Sequence, residues 1–242
     1  MTDRLHTISH PRPERGATAS QGSRADASLA YRSKTARYFT APRCSFIDPL
    51  PANPAARLLE LGCGTGATGA YALQQGKCGW CCGIELCEGP AAEARKSLNQ
   101  VIVGDIEEMT IDLLPASFDV LLVSHVLEHL RSPKIVLTKL HGLLRSGALV
   151  VSGSPNVCHH SVIRMLLRGR FDYQREGIMD ETHLRWFTPA TFRHLFEETG
   201  YIVDHVGPTS PMRLKARILN RLSLRHFEYL FHPEIELRAH RV

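Results

Sequence analysis

The feature that most constrains the fold is a short apolar stretch that breaks into closely spaced glycines. Residues 57–69 read Arg-Leu-Leu-Glu-Leu-Gly-Cys-Gly-Thr-Gly-Ala-Thr-Gly. Leu58–Leu61 predicts a buried strand, the glycines predict a tight loop, and Ala67–Gln75 predicts a helix. Because glycine has no Cβ, the loop can turn sharply and let a ligand approach the backbone. A strand, a glycine loop and a helix start in this order are typical of nucleotide-binding corners.

One acid in this stretch, Glu60, narrows the choice of ligand. We expect its carboxylate at the mouth of the loop, where it would repel a pyrophosphate and attract an ammonium group. S-adenosylmethionine (SAM) carries such an ammonium. The run Glu-Leu-Gly-Cys-Gly-Thr-Gly resembles the first motif of class I SAM-dependent methyltransferases, and the resemblance extends over roughly residues 35–205. It implies SAM as the cofactor and assigns five residues of the loop to it: Glu60, Gly62, Cys63, Gly64 and Gly66.

Acidic residues further along the chain occur in the same order as in class I methyltransferases. Gly79–Glu85 predicts a second strand that ends in an acid. Both hydroxyls of a ribose can donate to one carboxylate, so Glu85 is the candidate ribose ligand. In the family, an acid after the third strand (Gln100–Val103 here) faces the adenine amino group, and the next apolar residue packs on the ring. These motifs add four further cofactor candidates: Leu86, Asp105, Ile106 and Ser124.

The catalytic candidates follow the fourth predicted strand, Phe118–Val123. His125, Glu128 and His129 stand at i, i+3 and i+4, which predicts one face of a helix beside the cofactor methyl group. His183 lies in a segment expected to cover the same cleft. His129 or His183 is the candidate general base that removes a hydroxyl proton, with His125 as a third catalytic candidate. The competing interpretation is a histidine cluster that only packs or orients the substrate.

A metal site is a further interpretation of the same residues. The pattern His-x-x-Glu-His, followed by Asp-Glu-Thr-His at residues 180–183, resembles quinone-biosynthesis O-methyltransferases and small-RNA 3′-terminal methyltransferases. In the latter family, Glu-x-x-Glu-His and a distant His hold a divalent cation. The candidate metal ligands are therefore His125, Glu128, His129 and His183. His125 stands where those relatives carry Glu, and Mg²⁺ prefers oxygen ligands, so the sequence disfavours a divalent metal.

The predicted activity is O-methyl transfer to a hydroxyl of a small molecule or a glycan. Residues 177–188 look like a stretch frequent in methyltransferases of bacterial surface-polysaccharide synthesis. Three alternatives stay open. The first is metal-assisted methylation of a polyanionic acceptor such as an RNA 3′ end, and the second is a non-catalytic SAM-binding module. The third is a nicotinamide-dependent oxidoreductase, because residues 64–69 also fit G-x-G-x-x-G.

The alternation of strands and helices predicts an α/β fold, a doubly wound, Rossmann-like, seven-stranded and mostly parallel sheet. Glu234–Arg241 alternates apolar and polar residues and is predicted as the last strand, which is antiparallel in the family. Residues 31–242 are expected to form one domain, with a substrate-covering insertion at about 155–187. Residues 1–30 are predicted to be a disordered basic tail, and residues 213–222 a helix. The sequence predicts no oligomeric state.

Composition excludes some classes of protein. No apolar run approaches the roughly 20 residues that a membrane span needs, and the N-terminus lacks an apolar signal core, which predicts a cytoplasmic protein without a transmembrane segment. Seven cysteines show no framework spacing, and Cys78 and Cys81 are predicted to be buried thiols rather than a redox pair. Residues 1–44 hold eight Lys/Arg against three acids. A nucleic-acid partner is thus an alternative, although a solvated surface is favoured.

Overall fold

The sheet is seven-stranded in the computed structural model, which describes residues 40–209 and 227–242. The strands occur in the spatial order 3-2-1-4-5-7-6. The first five pair in parallel, and the seventh pairs antiparallel with both the fifth and the sixth. The predicted doubly wound sheet with an antiparallel last strand is therefore confirmed. The strands are β1 (Arg57–Leu61), β2 (Trp80–Glu85), β3 (Gln100–Val103), β4 (Phe118–Ser124), β5 (Leu144–Pro155), β6 (Tyr201–Pro208) and β7 (Glu234–Arg241).

Helices cover both faces of this sheet, as a parallel sheet requires. The α-helices are α1 (Cys44–Ile47), α2 (Ala67–Gln74), α3 (Glu88–Ala94), α4 (Pro133–His141), α5 (His160–Leu166) and α6 (Pro189–Glu197). Two 3₁₀ turns, Leu127–His129 and Glu228–Phe231, complete the described elements. Among the described residues, no helix has the length and apolar character that crossing a membrane requires.

Two apolar clusters fill the space between sheet and helices. One lies under α4 and α6, where Leu137 and Phe192 are fully buried against Leu121. The other lies under α1 and α2, where Ile47 and Ala72 pack against the opposite side of the sheet. Because the central strands are buried on both faces, their sequences are continuous apolar runs rather than alternating ones.

Element boundaries mostly match the sequence predictions. The bounds of β3 and β7 are confirmed, and α6 begins after Thr188, whose side chain accepts a hydrogen bond from the Thr191 amide in a reciprocal capping box. The helix after β2, α3, begins at Glu88 and ends at Ala94. The segment expected at about 155–187 lies between β5 and α6, and a β-bridge between Asn156 and Phe187 joins its two ends. The predicted tail (1–30) and helix (213–222) lie outside the described residues.

The strand order reverses between β1 and β4, which are neighbours in the sheet. At such a reversal the loops after the two strands diverge and leave a crevice at their carboxyl ends. Here the two loops also touch, because a Cβ on Gly62 would collide with the Val126 side chain. The glycine loop and the histidine-bearing turn are therefore parts of one site.

Candidate active site

The glycine loop has the backbone geometry that its sequence predicts. Gly62, Gly64 and Gly66 have φ angles of 73°, 54° and 79°, a region that residues with a side chain rarely adopt. Gly66 also lies against α3, where a Cβ would come within 3.0 Å of the Ala94 Cα atom. The turn and the close packing both require glycine, and the loop delivers α2 with its amino end at the crevice.

Glu85 ties the end of β2 to the glycine loop. Its Oε2 accepts a hydrogen bond from the Gly64 amide at 2.8 Å, and its Oε1 accepts one from the Cys87 amide at 3.0 Å. Burial raises the pKa of this carboxyl, and the backbone donors of Cys87 and Gly64 oppose the shift. A carboxylate offers about four acceptor positions, so lone pairs remain for ribose hydroxyls. The predicted ribose role of Glu85 fits this geometry and stays a prediction.

Glu60 lies beneath the glycine loop, not at its mouth as expected. Only 4% of the residue is exposed, and a Cβ on Gly69 would lie 2.9 Å from its Oε2 atom. Burial raises the pKa of Glu60 to about 8, against the lowering effect of hydrogen bonds from the Gly69 amide and the Thr68 side chain. The reason for its position is strand alternation, because Glu60 shares with Leu58 the sheet face that α2 covers. Contact with a cofactor ammonium stays a prediction.

The other predicted cofactor residues surround the same crevice. Asp105 accepts a backbone N–H bond at 2.9 Å from the residue two positions on, and Leu86 is 38% exposed at the end of β2. Ile106 is buried in the core under α4, and Cys63 is buried, which raises the pKa of its thiol. The Ser124 hydroxyl is buried without a hydrogen-bond partner in the described part of the chain. That unsatisfied group suits a polar ligand at the crevice.

The turn after β4 corrects the prediction of a helix at the histidines. His125 has a left-handed φ of 55°, its amide donates to the Gly153 carbonyl at 2.9 Å, and only Leu127–His129 forms a single 3₁₀ turn. The three residues therefore do not share a helix face. His125 Nδ1 nevertheless lies 3.4 Å from Glu128 Oε1.

A hydrogen-bonded segment brings His183 to this turn. The Leu184 and Arg185 amides both donate to the Glu128 carbonyl, at 2.8 and 2.9 Å. As a result the His129 and His183 rings meet edge to face, with 4.7 Å between centroids. Donor atoms of Glu128, His129 and His183 all lie within 4.8 Å of one another, which is a set able to hold a divalent metal. His125, the fourth predicted ligand, is not part of this set.

The proton positions of the two imidazoles follow from their backbone partners. His129 Nδ1 lies 3.1 Å from the Thr182 carbonyl, and His183 Nδ1 lies 3.1 Å from the Ile178 carbonyl. A carbonyl oxygen only accepts, so each Nδ1 carries the proton and each Nε2 of a neutral ring carries a lone pair. Burial lowers the pKa of His129, although the Glu128 charge opposes the shift. His129 is therefore a neutral proton acceptor at pH 7.

Glu128 supplies the negative charge of the cluster. Burial raises its pKa, but the neighbouring His125 and His129 side chains lower it by more, so the pKa of Glu128 lies below its usual value. The Ser154 hydroxyl lies 3.4 Å from Glu128 Oε2. An ionised carboxylate beside these imidazoles can stabilise an imidazolium once a proton arrives.

Sequence reasoning missed the groups that orient these histidines. The Thr182 and Ile178 carbonyls carry no sequence signal, because every residue has one. Ser154, whose hydroxyl approaches Glu128, was not among the predicted site residues. Phe46 of α1 was missed as well, and its ring centroid lies 6.4 Å from that of His125.

Comparisons with known proteins agree with this geometry. A family model described as "Methyltransferase domain" matches residues 29–206. The chain belongs to the class I SAM-dependent methyltransferase family. Its cofactor is accordingly SAM, and the alternative of a nicotinamide-dependent oxidoreductase is wrong.

Individual relatives of this methyltransferase are distant. The ubiquinone biosynthesis O-methyltransferase of Pseudomonas aeruginosa is 27% identical over 148 residues, which cover 55% of this chain and 63% of that protein. The alignment thus spans less than two thirds of the curated relative. A SAM-dependent methyltransferase from Archaeoglobus fulgidus has a TM-score of 0.60 at 19% identity, covering 91% of this chain and 96% of its own. One from Mesorhizobium loti has a TM-score of 0.57 at 19% identity, covering 82% and 96%. These two structures support the fold.

Proposed function

We propose that this methyltransferase transfers its methyl group to a hydroxyl oxygen of a small molecule or glycan. The observation that carries the proposal is the pair of imidazoles, half-buried His129 and buried His183, beside the carboxyl end of β4. Each has Nδ1 engaged by a backbone carbonyl and therefore presents Nε2 as a base. A hydroxyl acceptor needs such a group, whereas a neutral amine can attack before it loses a proton.

The residues divide the work of the reaction between them. When bound, SAM supplies an electrophilic methyl group on a sulfonium. The acceptor oxygen would bond to that methyl carbon as the carbon–sulfur bond breaks and S-adenosylhomocysteine leaves, and the hydroxyl proton would pass to Nε2 of His129 or His183. The Glu128 carboxylate then stabilises the resulting imidazolium. Burial of Glu128 and His183, together with the half-buried position of His129, limits the access of water to the proton transfer.

The curated relatives support oxygen as the acceptor atom. The matched Pseudomonas aeruginosa protein and a Hahella chejuensis protein, 28% identical over 148 residues, are both named as ubiquinone biosynthesis O-methyltransferases. The alignments cover 55% of this chain, so the relatives bear on the reaction type and leave the acceptor to be found by assay.

A metal-assisted reaction is the second candidate, and the convergence of Glu128, His129 and His183 favours it. A bound cation would use the same Nε2 lone pairs that a base needs. The two candidates therefore exclude each other at these atoms. Dialysis against EDTA separates them, because a base mechanism keeps its rate and a metal mechanism loses it until a divalent cation is restored.

Two variants test the base. His129→Asn and His183→Asn are assayed for S-adenosylhomocysteine release with phenolic and sugar-hydroxyl acceptors. We expect substitution of the histidine that acts as the base to lower turnover by about 10²- to 10⁴-fold, the usual contribution of a general base. S-adenosylhomocysteine affinity, measured by calorimetry, should stay unchanged. His194→Asn is the control, since that ring is exposed on α6. Unchanged turnover in both variants would contradict the proposal and favour a binding module or an unassisted reaction.

A further inference from the structure

A cavity of about 320 Å³ lies within the segment between β5 and α6. One wall is α5 and the residues just after it, and the other wall is residues 170–179. Its volume falls in the range of small-molecule sites. The lining residues that carry charge are Arg164, Arg168, Arg170 and Asp172.

The charge of this cavity is unbalanced. Three guanidinium groups line it against a single carboxylate, and that carboxylate, on Asp172, pairs with Arg170. Within the described ranges, neither Arg164 nor Arg168 has an acidic partner, so two positive charges are left without a counter-charge. They stand four positions apart, Arg164 on α5 and Arg168 in the turn that follows it, and both line the cavity.

The wall opposite α5 is a folded piece of backbone. The Gln174 amide donates to the Met179 carbonyl at 2.8 Å, and the Glu181 amide donates to the Gln174 carbonyl at 2.8 Å. These bonds form an isolated β-bridge between Gln174 and Asp180. The cavity therefore has a defined wall rather than a loose loop on that side.

This wall is shared with the histidine cluster. Ile178 lines the cavity, and its carbonyl accepts the hydrogen bond from His183 Nδ1 at 3.1 Å. The residue next to it, Met179, also lines the cavity and is buried. A group held in the cavity is thus one backbone segment away from a candidate catalytic base.

We propose that the cavity binds an anionic group, of phosphate type, on the methyl acceptor, with Arg164 and Arg168 as its ligands. The inference rests on the proposed hydroxyl methylation and names the class of acceptor. Guanidinium groups bind phosphate oxygens through pairs of charge-assisted hydrogen bonds, which fix orientation as well as position. The bound anion would anchor the acceptor while its hydroxyl reaches the histidines.

The same chemistry has two sources, a phosphorylated small molecule or the headgroup of a lipid. The test uses sodium pyrophosphate as the probe for the first and vesicles of phosphatidylcholine with phosphatidylglycerol for the second. Phosphatidylcholine vesicles alone serve as the neutral reference. Both titrations use the full chain at low ionic strength, because exposed charges are screened by salt.

The decisive variant is Arg164→Gln with Arg168→Gln. Its matched control is Arg95→Gln with Lys96→Gln, which removes two positive charges from an exposed site after α3. We expect pyrophosphate to bind the parent and the control alike, and the cavity variant at least about tenfold more weakly. Vesicle binding lost in the same variant would identify a lipid headgroup. If the parent binds pyrophosphate but does not bind the vesicles, the acceptor is a phosphorylated molecule in solution.

Two results would overturn the inference. One is absence of pyrophosphate binding by the parent at millimolar concentration, and the other is equal binding by the cavity variant. Both are read without turnover, so they leave the proposed methylation untouched. Conversely, loss of activity in the histidine variants with unchanged pyrophosphate binding separates the two sites. A phosphorylated acceptor that is methylated equally fast by parent and cavity variant would show that the cavity does not serve the reaction.

Discussion

The loop after β1 and the end of β2 are built from backbone amides and the buried Glu85 carboxylate, whereas the segment before α6 carries the His183 imidazole and the guanidinium groups of the cavity. The first region obtains its shape from glycines in left-handed conformations. The second obtains its shape from hydrogen bonds between residues far apart in sequence. A ligand that never changes can be held by the backbone, while an acceptor that differs between enzymes has to be recognised by side chains.

The largest effect should come from filling the glycine loop. Gly64→Arg is expected to abolish S-adenosylhomocysteine binding, measured by calorimetry, because a long side chain would occupy the space the ligand needs. Gly76→Arg is the matched control, since Gly76 has a similar φ of 64° and nothing within 4 Å of its Cβ position. Equal loss in both variants would mean that backbone strain, rather than loop filling, causes the effect.

A smaller effect is expected at the end of β2. Glu85→Gln keeps one acceptor oxygen for the backbone donors but loses the charge that strengthens bonds from ribose hydroxyls. We expect about tenfold weaker S-adenosylhomocysteine binding, the value of one charge-assisted hydrogen bond. Glu93→Gln, at an exposed residue of α3, is the control. Parental affinity in Glu85→Gln would make the ribose assignment wrong.

Proton release tests the position of Glu60 beneath the loop. With a pKa of about 8, this carboxyl is mostly protonated at pH 7, and an ammonium beside it would favour the ionised form. Cofactor binding should then release up to about one proton. Calorimetry in buffers of different ionisation enthalpy measures this number, and Glu60→Gln should reduce it to zero. Binding enthalpies independent of buffer in the parent would show that Glu60 does not meet the ammonium.

The smallest expected effect is a pH dependence of turnover and stability that arises at His129. Burial lowers the pKa of His129 below its ordinary 6.5, so the folded protein takes up the proton only at more acidic pH. As the pH is lowered, turnover should therefore stay constant past pH 6.5 and fall only at a more acidic pH. Folding stability should start to decrease near pH 6.5, since the unfolded chain then binds the proton first. The measurement is turnover as a function of pH, in which the His129→Asn variant should lack the acidic fall. A fall in the parent whose midpoint lies above pH 6.5 would contradict the prediction.

Local rules were enough for most of the first region. Strand, glycine loop and helix are contiguous, and each residue's conformation follows from its own chemistry and that of its neighbours. The exception is Glu60, which was expected at the mouth of the loop. Its burial beneath the loop depends on which face of the sheet the loop and α2 cover. Apolar runs and the alternation of apolar and polar residues likewise located β3 and β7 within a residue.

Local rules failed at the histidines. The spacing of His125, Glu128 and His129 fits a helix, but Pro133 begins a new helix and disfavours helical conformation in the residue before it. The chain between β4 and α4 thus has room for one 3₁₀ turn only. The place of His183 depends on hydrogen bonds to the Glu128 carbonyl, across more than fifty residues, and no periodicity reports such a contact.

Those two hydrogen bonds to the Glu128 carbonyl are made by backbone atoms on both sides. Substituting the side chains of Leu184, Arg185 or the arginines near α5 leaves the bonding atoms in place. The segment can therefore change what it recognises while His183 keeps its position against His129. During evolution, the residues that bind the acceptor can therefore change while the reaction stays the same. An engineer could likewise alter the cavity and leave His129 and His183 intact.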